Sequence, residues 1–218
     1  MTKQTLSLCL CVSLFLGGLV NGRAQMVKIP DLELETVVRE AIGKPTGDIT
    51  AADMEDLQAL DASGFARGEY APVIRSLNGL EFAKNLKSLN LSGVCPRVFI
   101  CRKNIIITDF SPLKNLGDLT ELNLAGNQLT SLHLPKGLSH LTRLELSGNQ
   151  LTDFSFLEDL SNLTYIDLSY NRLISLLLPE GLSDLKSLNL TGNHLTNLHL
   201  PEGLRNLTSL NLTGNRLS

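Results

Sequence analysis

Hydrophobic positions in this chain keep a fixed beat. From Leu119 onward, apolar residues recur in the order L-x-x-[LI]-x-L-x-x-N-x-L, and the pattern restarts at Leu141, Leu163, Leu185 and Leu207, every 22 residues. One copy reads Leu119, Leu122, Leu124, Asn127, Leu129; the last reads Leu207, Leu210, Leu212, Asn215, Leu217. Within each copy the x-L-x-L-x stretch alternates with a period of two, which predicts a short strand with leucines inward and the intervening residues outward. Self-similarity at a fixed period means that the units stack, with strands in parallel about 4.8 Å apart, because one unit cannot bury its apolar face alone. The asparagine falls where the chain turns off the strand. Its amide is placed to pair with backbone groups the turn leaves unsatisfied, forming a ladder along the stack.

The second half of each unit comes in two versions. Units starting at Leu119, Leu163 and Leu185 continue L-x-L-P-[KE]-G-L, as in Leu132, Leu134, Pro135, Gly137, Leu138. Units starting at Leu86 and Leu141 continue D-F-S-x-L, as in Asp109, Phe110, Ser111, Leu113 and Asp153, Phe154, Ser155, Leu157. Neither leaves room for a long helix, so extended or 3-10 structure is expected there. Two units are stretched. Leu86 to Leu119 holds an insertion over 93–106, and Leu57, Leu60 and Ala62 read as a degenerate first unit resumed at Ile74 and Leu77.

Ahead of the repeats the period changes to that of a helix. Leu34, Val37, Val38, Ala41 and Ile42 form one stripe, with Asp31 as N-cap, Glu33 and Glu35 in the first turn, and Gly43 and Pro45 at the end. A second short helix starts at Thr50, with Asp53 as capping-box partner and Met54 and Leu57 on its inner face. These helices are expected to close the open apolar end of the first unit.

These residues carry a resemblance. The 22-residue unit is the leucine-rich repeat pattern. The runs I-P-D-L-E-L-E-T-V-V-R-E-A-I-G-K, D-I-T-A-A-D-M-E-D-L and L-N-G-L-E-F-A-K-N-L-K-S-L-N-L-S-G, with S-P-L-K-N-L at Ser111–Leu116, resemble the cap and first repeats of bacterial internalin-type leucine-rich repeat proteins. The likeness spans about Ile29 to Ser218. It implies an α/β solenoid: a leucine-rich repeat horseshoe with short parallel strands on the concave face, an irregular or 3-10 convex side and a small helical N-terminal cap. It also implies that a protein partner is bound through the concave face, commonly at a cell surface. The immunoglobulin-like domain and surface anchor that often follow such repeats are not in this sequence.

The extreme N-terminus reads as a secretory signal over 1–24. Lys3 supplies the positive charge, Leu6 to Val20 an apolar stretch too short to span a bilayer, and Gly22-Arg23-Ala24 a small-residue cleavage site. The expected organisation is then a helical cap over 25–60 and repeats over 57–218, in a secreted, periplasmic or cell-surface protein with no membrane span in the mature chain. Loss of Lys3 and Arg23 moves the formal charge from −3 to −5. With charged residues at 19% and that balance, no nucleic-acid footprint is expected. Of four cysteines, Cys95 and Cys101 remain, both in the 93–106 insertion. In an oxidising compartment they are expected to pair. The loop between them then presents Arg97, Phe99 and Arg102 as a candidate contact surface.

No catalytic, metal or cofactor constellation stands out, and a non-enzymatic protein is expected. His133 and His199 occupy the same L-H-L-P slot three units apart, roughly 14 Å, too far to share a metal. Sequons at Asn90, Asn162, Asn189, Asn206 and Asn211 arise from the repeat itself. The informative positions are the outward ones on the strands. Ser88 and Asn90, Ser187 and Asn189, and Ser209 and Asn211 are polar and uncharged, whereas the middle holds Glu121, Arg143, Glu145, Tyr165 and Asp167. Tyr and Arg are common hot-spot residues, so these five are the candidate ligand-binding set. The leading reading is a secreted scaffold for a protein partner of unknown identity; the alternative is a structural cell-envelope module or a fragment of a longer surface protein. The last unit breaks off at Ser218 with its strand edge unpaired. Three outcomes are open for that end: a longer natural chain, end-to-end pairing with another copy, or fraying.

Overall fold

The computed structural model describes residues 24–63, 74–93 and 107–218. Residues 1–23 of the expected signal 1–24, and the insertion loop with Cys95, Arg97, Phe99, Cys101 and Arg102, lie outside the described residues. Two short helices, α1 (Leu32–Ala41) and α2 (Ala51–Glu55), lead into seven strands of three residues each. These are β1 (Ala59–Asp61), β2 (Ser88–Asn90), β3 (Glu121–Asn123), β4 (Arg143–Glu145), β5 (Tyr165–Asp167), β6 (Ser187–Asn189) and β7 (Ser209–Asn211). They pair in parallel, in sequence order, in one open sheet. The expected leucine-rich repeat solenoid is therefore the fold.

Register follows from the leucine period. The central residues Leu60, Leu89, Leu122, Leu144, Ile166, Leu188 and Leu210 are successive partners across the sheet. All but Leu210 are buried, and they join one apolar core that runs from Val27 in the cap to Leu195. Burying each such side chain contributes about 1.5–3 kcal/mol before chain entropy is counted. The degenerate unit takes its place through Leu57, Leu60, Ala62, Ile74 and Leu77, all buried.

The asparagine ladder forms as the unit predicts. Asn171 Nδ2 donates to the carbonyl of Leu168 in its own unit (3.1 Å) and to that of Leu146 in the preceding one (2.9 Å), while its Oδ1 accepts from Leu151 N (3.0 Å). Asn149, Asn193 and Asn215 repeat the bridge. A second ladder uses the threonine ahead of four of the strands, β3, β4, β5 and β7: Thr120, Thr142, Thr164 and Thr208 each donate Oγ1 to a carbonyl of the preceding unit, at 3.0–3.1 Å.

The two versions of the convex half separate structurally. The D-F-S-x-L units turn into 3-10 helices at Ser111–Asn115 and Ser155–Asp159, opened by Asp109 and Asp153 accepting from the amides of Ser111 and Ser155. The L-x-L-P units stay extended, and two of them touch through a parallel bridge between Leu177 and His199. Proline withholds the amide a 3-10 turn needs at that point.

The cap seats on the first unit. Asp31 caps α1 with one oxygen, accepting from Glu33 N (3.1 Å) and Leu34 N (3.0 Å); with the other it accepts from Arg75 N (2.7 Å) and Ser76 N (3.1 Å). One carboxylate thus closes a helix and ties it to a segment more than 40 residues on. Thr50 and Asp53 form the reciprocal capping box of α2, and Leu34, Val37, Val38 and Met54 enter the core. The helical stripe overreached at its end: Ala41 is exposed and Ile42 only half-buried. The helix stops at Ala41, so its last turn runs past the surface it packs on.

At the other end β7 is exposed along all three residues, with Leu210 38% and Leu217 39% exposed. No helix among the described residues is long and apolar enough to cross a membrane.

Candidate functional site

The outward residues of the strands make two columns down the concave face, set side by side by the parallel register. The first runs Ala59, Ser88, Glu121, Arg143, Tyr165, Ser187, Ser209, and the second Asp61, Asn90, Asn123, Glu145, Asp167, Asn189, Asn211. Ser and Asn fill the β2, β6 and β7 positions, and Ala59 and Asp61 stand on β1. The middle of the face carries charge and an aromatic ring, as the sequence places them.

The structure joins three of the five predicted residues, Arg143, Glu145 and Tyr165, into one network, with Glu121 beside it. Arg143 lies across Tyr165 of the next strand, with Cζ 3.9 Å from the ring centroid, a cation–π contact. Its Nε and Nη2 both donate to Glu145 Oε1, the Nε bond at 2.9 Å. The other carboxylate oxygen of Glu145 accepts from Asn123 Nδ2 at 2.9 Å. Glu121, exposed beside Arg143, accepts from Ser88 Oγ at 3.2 Å. Partial burial works against the Arg143 charge, but the hydrogen bond and proximity of Glu145 outweigh it and its pKa rises. Burial, helped by the Asp167 charge, raises that of the Tyr165 hydroxyl, so both groups keep their protons at neutral pH. A hollow of about 120 Å³ opens between Ser88, Asn90, Glu121, Asn123, Arg143 and Glu145. A larger one, about 360 Å³, lies at the cap beside Ile42, Asp53 and Leu57. There the Asp53 carboxylate is already taken by Lys44 and Thr50.

The fifth residue has a local duty. Asp167 Oδ1 accepts from Ser169 N at 2.8 Å, closing the turn that leaves the strand. The same bond recurs at Asp61, Asn90, Asn123, Asn189 and Asn211, each accepting from the amide two residues on. Asp or Asn in the second column is therefore a turn requirement. Glu145 alone departs from it. Its longer side chain reaches Arg143 and Asn123 instead, and that departure marks β3–β5 as the distinctive stretch of the face. Asn123 is a member of the network that the sequence did not single out, because asparagine is what the turn column carries anyway.

The recurring sequons also have structural work. Asn162 and Asn206 donate to backbone carbonyls of the preceding unit, at 2.6 and 2.9 Å. Among the described residues no group of three or more His, Cys, Asp or Glu side chains lies close enough to hold a metal ion.

Leucine rich repeat families match this sequence over residues 118–173, over 162–185 and 184–207, and over 203–218. No curated protein matches it. Among solved structures, internalin C2 from Listeria monocytogenes is 28% identical, with a TM-score of 0.58, over 87% of this chain and 86% of that one. The functional domain of InlJ from Listeria monocytogenes, described as including a cysteine ladder, shares the fold at 22% identity and a TM-score of 0.62, over 90% of this chain and 45% of that one. TLR13, solved in complex with ssRNA13, is 28% identical with a TM-score of 0.56, over 67% of this chain and 20% of that one. With leucine-rich repeat families matched through its C-terminal units and a fold shared with internalin C2 across most of both chains, the chain is a leucine-rich repeat solenoid similar to the bacterial internalins.

Proposed function

We propose that this protein is a non-enzymatic, secreted binding scaffold that holds a protein partner on its concave face, at Glu121, Arg143, Glu145 and Tyr165, with Asp167 at the rim. The supporting observation is the Arg143–Tyr165–Glu145 network in the middle of a face whose β2, β6 and β7 positions are Ser and Asn. A preorganised guanidinium stacked on an aromatic ring loses little side-chain freedom on binding, which is how Arg and Tyr serve as hot spots. Three carboxylates against one guanidinium make this surface acidic, which favours a partner with basic side chains and disfavours nucleic-acid phosphate.

Secretion rests on Lys3, the Leu6–Val20 stretch and the cleavage site at Ala24. Signal 1–24, cap 25–60 and repeats 57–218 are the proposed organisation, with Cys95 and Cys101 disulfide-linked after export and Arg97, Phe99 and Arg102 on the loop they close.

The test is a pull-down from the native surroundings with wild type, followed by affinity measurement on the captured partner. Arg143→Ala with Tyr165→Ala should weaken binding about tenfold or more. The melting temperature should hardly move, because neither side chain belongs to the apolar core. Equal binding by the two proteins would remove the concave centre as the site.

A further inference from the structure

Aligning the units by register exposes one that breaks the pattern three times. Seven residues after each unit's first leucine stand Gly93, Gly126, Gly148, Gly192 and Gly214, but the unit 163–184 has Tyr170. Four of these five glycines take a left-handed backbone. Gly126, Gly148, Gly192 and Gly214 have φ between +67° and +74°, and Tyr170 adopts the same conformation at +52°. An aromatic residue held there is strained, and such strain concentrates at functional positions. Its ring lies over the neighbouring glycine, where a Cβ built on Gly192 would fall 2.6 Å from Tyr170 Cδ1. The residue is nevertheless 60% exposed.

The same unit carries Ile174 where the units around it have Thr130, Thr152 and Thr196, and Leu177 where the other L-x-L-P units have His133 and His199. Ile174 is 65% and Leu177 79% exposed. Three departures from small or polar to large apolar, all outward and all on one unit, cost solubility and do nothing for the core. They lie within the eight residues of chain that turn away after β5, off the strand and distinct from the concave columns.

A basic row runs beside the Tyr170 end of this stripe, while Glu180 is the exposed acid beyond its Leu177 end. Arg172 sits between Tyr170 and Ile174, and the equivalent positions in the next two units are His194 and Arg216, all exposed. The equivalents before it are uncharged, Gln128 and Gln150. Among the described residues no carboxylate pairs with Arg172 or Arg216. The nearest acid in the preceding unit's loop, Asp153, is engaged by the amide and hydroxyl of Ser155.

We propose that this edge of the unit 163–184 is a second docking surface, taking an extended protein segment whose apolar side chains alternate with carboxylates. The apolar side chains rest on Tyr170, Ile174 and Leu177, and the carboxylates face Arg172 and Arg216. Its sign is opposite to that of the concave centre, so one partner segment does not fit both surfaces.

The test replaces each residue by the one its neighbouring units carry, Tyr170→Gly, Ile174→Thr and Leu177→His, so that the fold is kept; an unchanged or higher melting temperature verifies this. The probes are synthetic peptides of repeated Leu-Glu-Ser, with Leu-Lys-Ser and Ser-Glu-Ser as controls, titrated against the exported protein by calorimetry. Wild type should bind Leu-Glu-Ser in preference to both controls, and the triple variant should bind it about tenfold more weakly or worse. Arg172→Glu with Arg216→Glu should transfer the preference to Leu-Lys-Ser. Arg143→Ala with Tyr165→Ala should leave this binding unchanged, so failure of the concave reading and of this one are separable. Absence of binding, or equal binding by the triple variant, would overturn the proposal. So would sedimentation showing a wild-type dimer that the triple variant loses, which would assign the stripe to a second copy of the chain.

Discussion

Removing one rung of the asparagine ladder tests the central account of how this solenoid holds together. Asn171→Ala deletes two donors and one acceptor from a buried side chain. Four bonds break and they are not equivalent; the long one to Ser169 O (3.3 Å) leaves that carbonyl its bond from Gly148 N. The carbonyl of Leu146 keeps a bond from Asn149 Nδ2 at 3.0 Å, and that of Leu168 keeps one from Asn193 Nδ2 at 2.9 Å. Each carbonyl therefore loses a second donor, at about 0.5–1.5 kcal/mol, and neither is orphaned. The amide of Leu151 has no such reserve. Buried without an acceptor, it costs about 1–3 kcal/mol. The expected destabilisation is about 2–6 kcal/mol, large against the about 5–15 kcal/mol of a typical domain. Urea unfolding gives the total, and hydrogen exchange at the Leu151 amide reports the orphan directly. Asn215→Ala is the internal control. It breaks the corresponding bonds to Leu190 O, Leu212 O and from Leu195 N, in a half-buried setting where water replaces them. It should cost less than about 1.5 kcal/mol. A loss below about 1 kcal/mol for Asn171→Ala, or equal losses at both positions, would refute the reasoning.

The capping box gives the cap an acid limit. Hydrogen bonds from Lys44 and Thr50 lower the Asp53 pKa from 3.8 to about 2, so the folded state prefers the carboxylate. Its contribution is full above about pH 4 and is lost as the pH falls towards about 2; thermal melts of wild type should steepen across that window, and those of Asp53→Asn should not. Gly192→Ala should lower stability by more than the about 1–2 kcal/mol of a left-handed alanine, because its methyl also displaces the Tyr170 ring. In a Tyr170→Gly background the extra loss should vanish, and additive effects on denaturant midpoints would contradict the contact. Thiol titration of the exported protein under denaturing conditions should find no reactive group at Cys95 or Cys101, whereas two free thiols would exclude the disulfide.

Much of this architecture is written in local pattern. The alternation around Leu122, Leu144 and Ile166 specifies which side chains face inward, because successive residues of a strand point to opposite sides whatever surrounds them. The 22-residue spacing then specifies register, since only in-phase stacking buries every leucine. Asn171 and its equivalents, and the Thr50–Asp53 box, are equally local: each satisfies backbone groups a few residues away or one repeat away. The outward face is a different problem. Periodicity places Glu121, Arg143, Glu145, Tyr165 and Asp167 on it but is silent on which of them touch. Side chains on neighbouring strands meet according to the stacking distance and their own rotamers. Stacking lays Arg143 on Tyr165 and turns Glu145 toward Arg143 and Asn123, while the turn after β5 claims one oxygen of Asp167. The end of α1 is a similar case, with Ala41 in phase yet exposed, because a helical stripe continues past the last surface there is to cover it.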